Sequence, residues 1–255
     1  MRIGFIGVGS IARAIVEGLC TGDAPPEILL APRSASVSAE LAERFPTVRV
    51  CADNDAVVDA SDIVFLALRT EHCPGVVADL AFRADQIIVD VMISVGLEQL
   101  RAMLPEHSRA VTIVRAMPLQ EVRRRDCVTV VYPPDPRIEE LFGPLGGALA
   151  VDGEAAFTAF GVLSATMSSY YAYLASIASW AAEQGVPAGD ADRFLRSLFG
   201  GAGRALDEND TPFDALRAEH ETPGGANERI REQWFTASQP SLQTVLDELL
   251  ASLSD

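Results

Sequence analysis

The chain has 255 residues, 49% of them hydrophobic and 22% charged, with a formal net charge of −16. That length and apolar content suffice for one large core or two smaller ones and exclude wholesale disorder, and the acid excess argues against nucleic acid or an anionic membrane as partner. All 20 basic residues are arginine, which excludes a Schiff-base lysine, a phosphate-loop lysine and a lysine acid or base.

In chain order, residues 2–6 read as a buried strand and 10–20 as a helix. A second strand is expected at 27–31, and a helix at 36–45 with a serine cap at Ser34 or Ser36. Short strands at 48–51 and 62–68 follow, the latter a continuous apolar run typical of a central parallel strand. A helix over 73–82, a strand over 86–92, a helix over 97–104 and a strand over 110–117 continue the alternation. A strand at 127–133, a helix at 136–142 and a strand at 148–152 complete it. This pattern predicts a Rossmann-type doubly wound parallel sheet over residues 1–152.

Beyond Asp152 no strand is evident. Helices are expected over 155–184, 188–207 and 224–252, broken at GVPAG and NDTPF, so residues 153–255 form an all-helical domain. Positions 155–182 carry no charge over 28 residues, long enough for a bilayer. The serines, tyrosines and Gly161 in that stretch suit a helix buried inside a domain or between subunits instead. A homodimer through 153–255 is the expected assembly. Trp180 and Trp234 are expected to pack within the helices. Cys20, Cys51, Cys73 and Cys127 show no CxxC or Cys/His spacing, and no histidines pair at ligand spacing. They read as reduced, buried thiols of a cytoplasmic protein without metal. The opening lacks the pattern of a secretion signal.

Gly7-Val8-Gly9-Ser10-Ile11-Ala12 is the GxGxxA form of the dinucleotide fingerprint, placed between strand and helix. Gly7 permits the turn, Gly9 lets backbone approach a pyrophosphate, and Ala12 is small where helix meets sheet. The helix from Ser10 points free N–H groups at the phosphates. After the second strand no acid stands between Ala31 and Val37; Arg33 and Ser34 offer a guanidinium and a hydroxyl to a 2′-phosphate. NADP is therefore preferred over NAD.

Several segments together resemble the pyrroline-5-carboxylate reductase family across nearly the whole chain. They are IGFIGVGSIARAI at the start, DNDAVVDASDIVFLALR, VRAMP (114–118), GVP (185–187) and TPGGAN (222–227). The resemblance implies cofactor contacts at Asn54, Ala67, Leu68, Arg69, Met117 and Pro118. It implies a substrate-carboxylate site at Thr222, Gly224, Gly225, Ala226 and Asn227, with Glu154 near the substrate. The departures lie on the substrate side. Arg69-Thr70 replaces Lys-Pro, Leu119 an asparagine, SATMSSYY (164–171) a Ser-Gly-Ser-Gly-Pro-Ala-Tyr stretch, and Asn227 a substrate-contacting threonine.

The implied activity is NADPH-dependent reduction of a cyclic imine, pyrroline-5-carboxylate or a related carboxylated imine. Thr222 reads as a helix cap with Pro223 at the first helical position, leaving the N–H groups of Gly225, Ala226 and Asn227 as an anion site. Thr166 and Ser168 are candidate substrate contacts and Tyr170 a candidate proton relay, with Asn227 the second candidate catalytic residue. Ser164 and Ser169 offer further hydroxyls early on the same helix. His72 and His220 could protonate nitrogen, although surface roles suit both. Arg123-Arg124-Arg125 reads as a solvated loop. Two other readings stand beside this one: a non-catalytic NADP-binding sensor or scaffold, and a deazaflavin–NADP oxidoreductase, which needs no PGG helix start. A β-hydroxyacid dehydrogenase is disfavoured because it would use a lysine.

Overall fold

The computed structural model describes residues 1–208 and 210–254. Asn209, the first residue of the expected NDTPF break, and Asp255 lie outside the described residues. The chain divides into two compact units, Met1–Gly161 and Val162–Asp255.

The first unit alternates strand and helix. Its strands are β1 (Arg2–Ile6), β2 (Glu27–Leu30), β3 (Val48–Val50), β4 (Ile63–Leu66), β5 (Ile87–Asp90), β6 (Thr112–Met117), β7 (Thr129–Tyr132) and β8 (Ala148–Ala150). Its helices are α1 (Ser10–Cys20), α2 (Ala35–Arg44), α3 (Asn54–Ala60), α4 (Cys73–Val77), α5 (Leu97–Met103) and α6 (Pro136–Phe142), with α7 (Glu154–Ser164) beginning after the last strand. The strands form one sheet in the order β3-β2-β1-β4-β5-β6-β7-β8. Both faces are covered, and successive residues of one strand serve opposite sides. Ile3, Phe5, Ile63 and Phe65 enter one apolar cluster, whereas Ile6, Val64, Leu66 and Ile88 enter the other. The rings of Phe5 and Phe65 stack at 4.7 Å, and Phe142 of α6 meets Phe65 edge-on.

The sheet is parallel from β3 through β6, but β7 runs antiparallel to β6, with Arg115 opposite Tyr132. The connection 118–128 carries only the 3₁₀ turn Gln120–Arg124. It is too short to cross over the sheet, so the chain returns beside the strand it has just left. A short helix, α3, was not anticipated. Asp53 caps it by accepting the Ala56 N–H at 2.8 Å, a signal visible in DNDAVVDA. Helix α4 stops at Val77, short of the expected 82. Ser34 precedes α2 but its side chain makes no cap; Ser38 instead donates to the Ala31 carbonyl.

Helix α7 contains the division between units, at 161/162; the change of class in the sequence falls earlier, at 152, once the last strand has ended. The second unit continues with α8 (Met167–Glu183), α9 (Ala188–Glu208), α10 (Phe213–Glu219), α11 (Ala226–Ile230), a π-helical turn (Arg231–Phe235) and α12 (Thr236–Ser254). The single helix expected over 155–184 is interrupted at Ala165–Thr166, so Ser164 ends one helix and Thr166 precedes the next. Within the unit, Phe199 of α9 packs edge-on against Tyr170 and Tyr173, and Trp234 stacks on Tyr173 at 5.4 Å. Trp180 does not pack as expected: it is 63% exposed. No described helix is long and apolar enough to cross a membrane.

Candidate active site

The strand order reverses between β1 and β4, and ligands of open α/β sheets bind outside the carboxyl ends of the strands at such a point. There the chain places its glycine turn. Gly7 has φ +87, and a Cβ on it would lie 2.4 Å from the Ala67 carbonyl oxygen, so glycine is required on both counts. A Cβ on Gly9 would meet no protein atom within 4 Å, which leaves that backbone open to a ligand. Gly9 is the N-cap of α1, contributes no side-chain cap, and no acid occupies the first turn. The N–H groups of Ser10, Ile11 and Ala12 therefore keep their partial positive charge. Val8 and Ala12 are buried beneath the turn. This cradle fits the pyrophosphate of a dinucleotide.

The other expected cofactor contacts follow neighbouring strands at the same edge. Arg33 and Ser34 lie on the 3₁₀ turn after β2, and Arg33 is exposed with no ion-pair partner among the described residues. In so acidic a chain an unpaired guanidinium is an anion donor to spare. Asn54 opens α3 and is half-buried. Ala67 donates its N–H to the Ile6 carbonyl, which ties the end of β4 to the end of β1. Leu68 is half-buried, and Arg69 is exposed before the turn Thr70–His72. Met117 ends β6, Pro118 is buried, and Gly161 of α7 packs near Ile93 and Met117.

At the same level sit three charges, two of which the sequence reading missed. Asp90 ends β5 and pairs in register with Leu66 on one side and Arg115 on the other. The Arg115 Nη1 donates to Glu154 Oε1 at 2.7 Å and its Nη2 to the Ile93 carbonyl at 2.9 Å. Its guanidinium carbon lies 4.5 Å from the Phe157 ring centroid. Glu154 Oε1 also accepts the Leu97 N–H at 2.9 Å. Burial pushes the Asp90 carboxyl up to about 7; the Met92 N–H and Arg115 oppose that, and Glu154 adds to it. The signal was present as a single charge inside each of two apolar runs, IIVDVM and TIVRAM, where a buried charge needs a partner.

The remaining expected residues lie in the helical unit. The Tyr170 ring packs on Phe199 and Tyr171, and its hydroxyl has no hydrogen-bond partner among the described residues. The Thr166 hydroxyl donates to the Leu163 carbonyl at 2.7 Å, so it serves its own backbone. Ser168 is exposed. The expected helix start at Thr222 is instead a type II turn: Pro223, then Gly224 at φ +73, closed by the Gly225 N–H to the Thr222 carbonyl at 2.8 Å. The helix begins at Ala226 with Gly225 as N-cap. Of the expected anion donors, Gly225 is thus already used, and the Gly224 N–H donates to Glu228 Oε2 at 2.5 Å. The Asn227 side-chain amide donates to the His220 carbonyl at 2.7 Å. His72 and His220 are exposed. Of the cysteines only Cys73 is buried, the other three being half-buried; all are free thiols pushed up by burial, Cys73 to about 11.

Residues 154–233 match the family described as pyrroline-5-carboxylate reductase dimerisation, and residues 2–94 match NADP oxidoreductase coenzyme F420-dependent. The chain is 28% identical over 236 residues to pyrroline-5-carboxylate reductase 3 of Xenopus laevis, covering 88% of this chain and 84% of that protein. Over nearly nine-tenths of its length the chain is similar to pyrroline-5-carboxylate reductases. Solved pyrroline-5-carboxylate reductases share its fold. The Streptococcus pyogenes reductase superposes with TM-score 0.82 at 20% identity, over 99% of this chain and 98% of that one. The Plasmodium falciparum reductase, solved with NADP bound, gives 0.79 at 13% identity, again over 99% and 98%. Within this fold a cavity of about 690 Å³ opens at the opposite ends of the strands, among Met1, Leu19, Ile63, Ile87, Arg125 and Leu141. Lying at the amino ends of the strands, it is remote from the glycine turn. Arg125 there adopts a left-handed conformation at φ +60 and donates from Nε to the Pro144 carbonyl, so it closes a turn rather than sitting in a solvated run.

Proposed function

We propose that the protein reduces the C=N bond of a small carboxylated cyclic imine, pyrroline-5-carboxylate or a near relative, with NADPH. The observation that carries this is the match of 154–233 to the reductase dimerisation family and the likeness to pyrroline-5-carboxylate reductases, joined to an uncapped glycine turn at the switch point of the sheet. The match of 2–94 describes only the nucleotide-binding half and is shared with the deazaflavin reading; the match of 154–233 favours the imine. Residues 1–152 then bind the cofactor, and 153–255 supply substrate contacts and the dimer interface.

The nicotinamide cofactor, when bound, supplies the hydride to the imine carbon. The chain's part is to place and polarise. The N–H groups of Ser10, Ile11 and Ala12 take the pyrophosphate, and Arg33 with Ser34 takes a 2′-phosphate. Asn54, Ala67, Leu68, Arg69, Met117 and Pro118 flank the path from there across the strand ends. Glu154 faces the imine nitrogen: Oε1 is held by Arg115 and Leu97, and Oε2 has no partner among the described residues. Tyr170, with its free hydroxyl, is the candidate proton relay. The TPGG turn keeps the N–H groups of Ala226 and Asn227 for the substrate carboxylate. The homodimer forms through the helices that leave Trp180, Phe194, Leu198 and Phe213 exposed.

A sensor that binds NADP without turnover is the second reading. It is favoured by the internal partners already taken by Thr166, Gly224, Gly225 and Asn227. The test is cofactor oxidation over a panel of cyclic imines, with calorimetric titration of NADP and NAD beside it. Turnover of a carboxylated imine with NADPH supports the reductase; tight NADP binding with no imine consumed selects the sensor.

A further inference from the structure

Asp90 and Arg115 are almost fully buried, at 1% and 3% exposure, on adjacent strands and in register. Asp90 Oδ1 accepts the Met92 N–H at 2.8 Å. Its Oδ2 has no hydrogen-bond partner, and neither has Arg115 Nε; the two lie 3.8 Å apart. Each orphan costs desolvation energy that a hydrogen bond would recover. Closing that gap by less than an ångström would satisfy both at once, and only an ionised Asp90 offers Nε a full acceptor. The same guanidinium holds Glu154 from its other end, and the Glu154 side chain is 38% exposed.

We propose that Asp90 is a positioning residue whose charge sets how much of Arg115 is left to neutralise Glu154, and hence how strongly Glu154 Oε2 attracts a cationic nitrogen at the strand ends. With Asp90 protonated, Arg115 and Glu154 cancel. With Asp90 ionised, the cluster carries net −1 and Arg115 is shared between two carboxylates. The groups facing Asp90 are Arg115 from β6, Glu154 from α7 and the Cys73 thiol from α4, with the Met92 N–H from its own chain end. Cys73, pushed to about 11, stays neutral across the working range. The switch therefore operates near neutrality, where burial has moved Asp90. This rests on the imine reading above, since it names the charge of the nitrogen that Glu154 receives: a protonated imine, or the secondary ammonium formed from it.

The binding test uses pyrrolidine, whose ammonium stays charged at every pH used. Its inhibition constant for the wild-type enzyme should fall on the order of three- to tenfold between pH 6 and pH 8. For D90N the constant should be flat and close to the wild-type value at pH 6, while D90E should restore a slope. For E154Q binding should be weak at both pH values. Equal slopes in wild type and D90N would overturn the proposal.

A second readout needs no substrate. Because folding raises the Asp90 pKa from an ordinary carboxylate value to about 7, the folded chain holds a proton that the unfolded chain releases between about pH 4 and 7. Wild-type stability in urea should therefore fall as pH rises through that window, and D90N should fall less. Parallel curves would overturn the Asp90 part by themselves. An enzyme that turns over no imine but shows diverging stability curves would sink the reading of function and leave the Asp90–Arg115 coupling standing.

Discussion

The two units of this chain bury their apolar residues very differently. In Met1–Gly161 every strand from β1 to β7 contributes at least one buried side chain, and two apolar clusters cover the two faces of the sheet. Beyond Gly161, Val162 and Ala191 are the only buried apolar residues among those described, while Trp180, Phe194, Leu198, Phe213 and Val245 stand exposed. A sheet covered by helices closes its core within one chain. Helices whose aromatic and aliphatic side chains stay in water within one chain have stability still to gain from a partner surface. The first unit thus closes its core within one chain, while the second leaves apolar side chains uncovered, as the homodimer proposed above requires.

The largest expected effect breaks the first side of that contrast. Phe65→Ala, at the centre of the Phe5–Phe65–Phe142 stack, should cost about 3–5 kcal/mol in urea unfolding. The same change at Phe213, 80% exposed, should cost under about 0.5 kcal/mol. Next comes Gly7→Ala, which forces a side chain into a left-handed backbone against the Ala67 carbonyl. NADP affinity by calorimetry should drop at least about thirtyfold, or roughly 2 kcal/mol. On the other side, Trp180→Asp with Phe194→Asp should convert a dimer to monomer at micromolar concentration by light scattering, with secondary structure by circular dichroism kept. A wild-type monomer at that concentration would remove the argument for a shared interface. The smallest effect sharpens the cofactor half: Arg33→Ala should weaken NADPH about tenfold and leave NADH within twofold, by fluorescence titration.

Much of the first unit was legible because its signals are local. Strand runs such as EILL and IVFL, the Gly7-Val8-Gly9 turn and the helix after it each follow from a few neighbouring residues. The antiparallel return of β7 was less legible, since it depends on what a short connection can reach. The substrate side was harder. In TPGG the Thr-Pro pair fits a capped helix start, yet Pro followed by Gly at positive φ also makes a type II turn, and the chain adopts the turn. Asp90 and Arg115 are harder to pair from sequence because their partners lie 25 and 39 residues away, on another strand and another helix.

The sequence alone determined the α/β-then-helical order, the glycine turn between strand and helix and the likeness to pyrroline-5-carboxylate reductases, since periodicity, glycine placement and short motifs are properties of contiguous residues. Only the tertiary structure decided which donors of the TPGG turn stay free, which aromatic side chains remain uncovered, and that one buried arginine stands between two carboxylates. Those are matters of burial and distance between chain segments, and the energies of charges and apolar surfaces depend on what surrounds them rather than on their order along the chain.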